Sequence, residues 1–132
     1  MQRITKFLQD QPVFYLATVD GKRPRVRPFD FFMEYEDRLY LATGKHKECY
    51  RQLQNNPYLE LCATNDESLW LRISGQAVFD DRLQVAEEIF SRRPYLYDYY
   101  QQNQDKQLAA FYLNNGYGRI ADKAGSFEEI WF

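Results

Sequence analysis

The sequence predicts an α+β fold built around a small antiparallel β-barrel, and three observations lead there. Short apolar runs recur at close spacing, parted by tight-turn pairs such as Asp20-Gly21 and Glu36-Asp37. Helical periodicity occurs only in inserts between those runs. The runs do not alternate with long helices in βαβ order, which argues against a nucleotide-binding parallel sheet.

Each element has its own signal. Residues 3–10 form a short helix with Ile4, Phe7 and Leu8 on one face, ended by Pro12. A largely apolar strand follows over 13–19. Asp20-Gly21 tolerates positive φ and turns the chain into a strand over 24–35. Glu36-Asp37 turns it again into a strand over 38–43. A helix spans 46–55 and closes at Asn55-Asn56-Pro57, because proline cannot continue it and the preceding residue leaves helical geometry. Strands are expected over 58–64 and 68–79, the second with a bend or bulge at Gly75. Asp80-Asp81 is expected to cap a helix whose face holds Leu83, Ala86, Ile89 and Phe90, stopped by Pro94. The tyrosine-rich 95–107 segment is read as helix. Asn115-Gly116 is read as a hairpin turn between 109–113 and 118–122, and 127–132 as a last strand.

Composition bounds the rest. The 132 residues suit one domain, 1–132, which buries roughly two-thirds of its unfolded surface. An apolar fraction of 45% argues against global disorder. Eleven Tyr and ten Phe suit a small barrel, a flat-ligand pocket or a subunit interface. Seventeen basic and nineteen acidic side chains leave a net charge of −2, so a chain-wide basic field for nucleic acid is missing. Cys49 and Cys62 match no zinc spacing and read as free thiols of a reducing compartment. The first residues lack the apolar run of a signal peptide, and no segment nears the ~18 residues of a membrane span. The expectation is a soluble cytoplasmic protein with no membrane partner.

Few residues offer chemistry. His46 is the only histidine, so a multi-imidazole zinc site is impossible. Gly44-Lys45 lacks the upstream glycine and following Ser/Thr of a P-loop. A difficult reaction would therefore need a cofactor. Arg25 and Arg27 share one face of their strand, which is either a solvated face with acidic partners or an anion cradle. Thr43, Lys45 and Lys47 surround the start of the 46–55 helix, whose free N–H groups favour an anion; a polar loop tip is the other reading. Trp70 and Arg72 share a face, as a half-buried ring shielded by an arginine stem or as a stacking wall. Tyr50 and Leu53 read as core, and Tyr95, Tyr97, Tyr99 and Tyr100 as packing or interface.

Taken in order, FYLATVDGKRPRVRPFDF, LYLATGKHKECYRQLQNNPYLELCAT and WLRISGQAVF resemble the pyridoxamine 5′-phosphate oxidase-like flavin-binding split barrels. The small nitroimidazole-resistance type branch is the nearest likeness, and the tail FYLNNGYGRIADKAGSFEEIWF is similar to it as well. The resemblance implies a six-stranded antiparallel split β-barrel with flanking helices. It also implies a homodimer with FMN at its interface. Arg25, Val26, Arg27 and Pro28 would lie along the flavin ring. Ala42, Thr43 and the turn with Lys45, His46 and Lys47 would hold the phosphate. Trp70 and Arg72 would reach the flavin from the other subunit. Three positions depart from the family pattern: Glu48 and Cys49 stand where basic side chains are common, and Trp70 where vitamin B6 oxidases often carry glutamine. The leading expectation is a small FMN-dependent oxidoreductase with an unnamed small-molecule substrate. A non-catalytic flavin carrier or sensor is the alternative within the fold. A barrel stacking single-stranded nucleic acid on its aromatics is a third reading, weighed against by the acidic balance.

Overall fold

Alternation along the strands decides the architecture. The computed structural model describes residues 1–132. In β1 (Phe14–Asp20) Phe14, Leu16 and Thr18 are buried while Tyr15 is exposed. The same period of two runs through β5 (Tyr58–Thr64) and β6 (Trp70–Phe79), so their inner face is buried, whereas β4 (Arg38–Gly44) buries Leu39, Tyr40 and Leu41 in succession and is covered on both faces. With β2 (Arg23–Phe29), β3 (Phe32–Tyr35), β7 (Leu108–Ala121) and β8 (Phe127–Trp131) they form one antiparallel sheet of eight strands in the order β2-β1-β5-β6-β7-β4-β3. β8 lies off this path, against β7. The sheet curls but does not close, as a split barrel requires. Two strands more are present than the six expected.

Four helices complete the chain: α1 (Gln2–Asp10), α2 (Glu48–Asn55), α3 (Leu83–Arg92) and α4 (Pro94–Gln102). None is long and apolar enough to cross a membrane. α1 buries Ile4, Phe7 and Leu8, and α2 buries Cys49, Gln52 and Leu53, in both cases at helical spacing. The main core gathers the apolar ones with the inner positions of β1, β4, β5, β6 and β7. A second core holds Phe31, Met33, Tyr40, Val85, Ile89 and Ala110, under α3.

The structure corrects the sequence expectation at five places. The strand expected over 24–35 breaks at Asp30-Phe31. Its first half pairs with β1 and its second with β4, so β2 and β3 stand at opposite ends of the sheet order and the chain must turn between them. Asn115-Gly116 makes no hairpin. β7 runs straight through, and the pairing passes from Ser74 opposite Tyr117 to Gln76 opposite Asn114. Gly75 therefore faces two residues, a β-bulge that absorbs the φ of +52° at Asn115. Gly116 exchanges backbone hydrogen bonds of 2.8 and 2.9 Å with Phe132. The helix expected over 46–55 starts at Glu48, after a turn at residues 45–47. α3 buries Val85 and Ile89, while Leu83 stays 72% exposed, so the buried stripe is rotated from the expected one. Finally, Arg82 stands at the N-cap of α3, and Asp80 is used otherwise.

Asp80 accepts a 2.7 Å bond from the buried Tyr40 hydroxyl and is ion-paired with Arg82, which also reaches Glu36 at 2.9 Å. This knot joins β3–β4 to α3. The Arg82 hydrogen bonds hold the Asp80 carboxyl down at about 2, against an ordinary 3.8. The unfolded chain therefore takes up that proton first as pH falls. The stabilisation is fully present above the ordinary value and is lost as pH drops toward 2. Asp80→Asn is expected to flatten the fall of thermal stability between pH 4 and pH 2. Melting curves across that range check it; an unaltered acid limb would show that the Asp80 ion pair does not set it.

Candidate functional site

Three chain segments meet beside the gap in the sheet. They are the kink at Asp30-Phe31, the end of β4, and the turn into α2. Between them lies a cleft of about 400 Å³, whose lining includes Arg27, Pro28, Phe29, Thr43, Lys47 and Cys49. A second cleft of about 340 Å³ shares Asp30, Phe31, Ala42, Thr43 and Lys47 with the first. It runs on to Tyr95, Tyr99 and Tyr100 of α4. The two make one groove with a polar end and an aromatic end, and each volume suits a small-molecule site.

Arg27 sits on the inner face of β2, opposite Leu16. Its Nη1 donates to the Thr18 hydroxyl at 2.8 Å and to the Leu16 carbonyl at 3.3 Å. Its Nη2 donates to Gln52 Oε1 at 2.6 Å. All these partners are neutral. Arg25, one step along the same face, instead lies 3.8 Å from Asp20. The two arginines expected to act together are thus divided, one to an acidic partner and one to the cleft. Val26 points away and is 67% exposed.

Thr43 is buried near the end of β4, and Ala42 beside it is half-buried. Lys47 is exposed and forms the N-cap of α2, without a side-chain cap. Its amide bonds to the Gly44 carbonyl at 3.0 Å, and its carbonyl accepts from Tyr50 at 3.2 Å. The Glu48 and Cys49 amides donate to no backbone carbonyl. Glu48, the acid at this turn, is ion-paired with Arg51, which also reaches Asp20 at 3.3 Å. Its charge is thereby answered from within α2. The Cys49 thiol is pushed up by burial, with Arg27, Thr43 and Lys47 pulling weakly back.

The other expected site residues fall elsewhere. Lys45 lies 3.5 Å from Asp81. The His46 ring folds over Gly44, where any Cβ would collide with it and press the Tyr100 hydroxyl. Burial and the positive charges of Lys106 and Lys47 push His46 down. Neither lines the groove. Trp70 and Arg72 lie on β6, paired with Thr64 and Cys62 across β5, and do not line it either. Sequence reasoning missed Thr18 and Gln52. Each is a polar residue at an inner position of an apolar pattern, Thr18 after Phe14 and Leu16, Gln52 between Cys49 and Leu53. That interruption was the signal that could have found them. It also missed that Tyr95, Tyr99 and Tyr100 close one end of the groove.

The family model described as pyridoxamine 5′-phosphate oxidase matches residues 1–118. The chain belongs to the pyridoxamine 5′-phosphate oxidase-like family. No curated protein matches it in sequence. A NimC/NimA family protein from Clostridium acetobutylicum is 36% identical over 100% of this chain and 92% of its own, with a TM-score of 0.91. Two other structures share the fold of this pyridoxamine 5′-phosphate oxidase-like chain. One is a pyridoxamine 5′-phosphate oxidase-related, FMN-binding protein from Nostoc punctiforme, 15% identical over 99% of this chain and 95% of that one, with a TM-score of 0.60. The other is HutZ, a heme storage protein from Vibrio cholerae, 23% identical over 86% of this chain and 89% of that one, with a TM-score of 0.64.

The environment of Cys49 carries a prediction. A buried thiol with a raised pKa holds little thiolate at neutral pH, and the thiolate is the form that reacts. Iodoacetamide is expected to leave Cys49 unlabelled in the native protein and to label it on unfolding, as peptide mass spectrometry reads. Rapid native labelling at pH 7 would contradict this burial.

Proposed function

We propose that the groove holds FMN and that the protein is a small flavin-dependent oxidoreductase, active as a homodimer. One observation carries the reading: cations without carboxylate partners and an apolar wall converge on one groove. At the polar end stand the Thr43 hydroxyl, Lys47 and the two unpaired amides of α2. This donor set fits a phosphate, which the helix dipole and a lysine point charge both favour. Along the wall stand Pro28, Phe29, Phe31 and Ala42, beside the Arg27 guanidinium. That surface fits a flat ring with polar edges. When bound, the flavin would supply hydride or single-electron exchange, which the chain's own side chains do not. The protein's part is to anchor the phosphate, orient the ring and shape the space beside it. Tyr95, Tyr99 and Tyr100 offer that space an aromatic boundary.

The homodimer is supported by apolar side chains left exposed on the sheet: Tyr15 at 53%, Tyr58 at 61%, Val26 at 67% and Trp131 at 69%. Such a surface needs a cover. Trp70 and Arg72 would then serve the partner's groove rather than their own. Two free thiols fit a reducing, cytoplasmic compartment. A carrier or sensor of the same fold would bind FMN equally and differ only in turnover. Reduced nicotinamide with nitro-compound or quinone acceptors separates the two.

Purified protein is expected to be yellow, or to turn yellow with added FMN, and to sediment at twice the chain mass. A haem-type spectrum, or no binding of FMN, would sink the reading. Thr43→Ala combined with Lys47→Ala removes two charge-assisted contacts and is expected to lower FMN affinity by more than about tenfold. The melting temperature should hold. Fluorescence titration checks it, and unchanged affinity would place the phosphate elsewhere.

A further inference from the structure

Gln52 is 3% exposed and belongs to the buried face of α2, whose other buried members are Cys49 and Leu53. A buried amide among apolar side chains is costly unless its polar atoms are used. Gln52 Oε1 accepts from Arg27 Nη2 at 2.6 Å and from the Thr18 hydroxyl at 2.5 Å. Thr18, 2% exposed, in turn accepts from Arg27 Nη1 at 2.8 Å. Only one arrangement of protons satisfies the three groups. Arginine can only donate, so the Gln52 atom facing it must be the carbonyl. The Thr18 hydroxyl, accepting from Arg27, must donate its own proton to Gln52. The Leu16 carbonyl at 3.3 Å takes a further Arg27 proton.

The choice of acceptors matters as much as their geometry. A carboxylate at position 52 would hold Arg27 as firmly but would cancel its charge. A neutral amide holds the guanidinium and leaves its charge for the cleft it lines. We propose that Gln52, with Thr18, is a positioning residue that immobilises Arg27 as an uncompensated cation, so that the cleft favours an anionic cofactor. This rests on the flavin reading above for the identity of the ligand, and on the hydrogen-bond geometry for the clamp itself.

Two readouts test it, one without any ligand. In the free protein, NMR of the arginine side chains is expected to show slow rotation about the Arg27 Cζ–Nη bonds. Gln52→Met, close in volume but without the acceptor, should restore fast rotation about Cζ–Nη2, whose group Gln52 holds. Free rotation in the wild type, or no change in Gln52→Met, would overturn the clamp. The second readout is FMN titration. Gln52→Met is expected to weaken FMN by at least about fivefold. The same change made on top of Arg27→Met should cost nothing more, because Gln52 acts through Arg27. Additive losses would overturn that route. Gln52→Glu keeps both acceptor contacts and adds a counter-charge. It should keep Arg27 slow and the melting temperature at wild-type level, yet weaken FMN at least as far as Gln52→Met. Wild-type affinity in Gln52→Glu would overturn the need for a neutral acceptor. Failure of the wild type to bind FMN would instead sink the flavin reading, and the rotation measurement would then decide the clamp alone.

Discussion

β7 pairs with three other strands, and the rest of the sheet depends on how it does so. One edge lies against β6 along nearly its whole length. The other edge is divided, residues 108–112 pairing with β4 and residues 117–121 with β8. A flat strand could not satisfy both neighbours. The bulge where Gly75 faces Asn115 and Gly116 supplies the bend, and the hydrogen bonds between Gly116 and Phe132 secure the point of divergence. β4 and β3 continue the sheet from one half of that edge and β8 covers the other half, and the groove opens where β2 and β3 part company at Asp30-Phe31.

That placement explains the electrostatics of the groove. Charges on this surface are mostly answered locally. Asp20 gathers Arg25 and Arg51, Arg51 gathers Glu48, and Asp81 takes Lys45. These ion pairs leave Arg27 and Lys47 as the cations of the groove that no carboxylate claims. The acid that looked misplaced at the start of α2 is turned toward Arg51 rather than toward Lys47. The like charges near His46 have the opposite consequence, adding to burial in pushing its pKa down.

The apolar periods and turn chemistry made much of the fold readable in advance. α1, β1, β4, β5 and β6 lie where alternation and punctuation put them, because their inner faces are apolar without a break except at Thr18 and Thr43. Where reading failed, a local signal had two structural uses. Asn115-Gly116 suits a hairpin and equally suits a bulge, since both need positive φ at asparagine or room at glycine. Residues 24–35 read as one strand because nothing in the sequence says that its halves form opposite ends of a sheet. α3 shows a third case, in which Ile89 was placed correctly but Leu83 was not, since rotation about a helix axis is decided by the surface it meets.

For the groove, the residue types alone narrowed candidate anion chemistry to two stretches, around Arg27 and around Thr43 to Lys47, each with a plain solvated surface as its other reading. With a sole histidine and scattered acids, any difficult reaction would need a cofactor. The family pattern was legible in the order of three motifs. Only the tertiary structure decided which members of each stretch serve the groove. It gave Arg25 and Lys45 to acidic partners and left Arg27 and Lys47 on the lining. It brought Thr18 and Gln52, 34 positions apart in sequence, to one guanidinium. It brought tyrosines of α4 to the far wall. Pairing between distant segments is set by which apolar faces must be buried together, and a strand's own sequence does not name its neighbour.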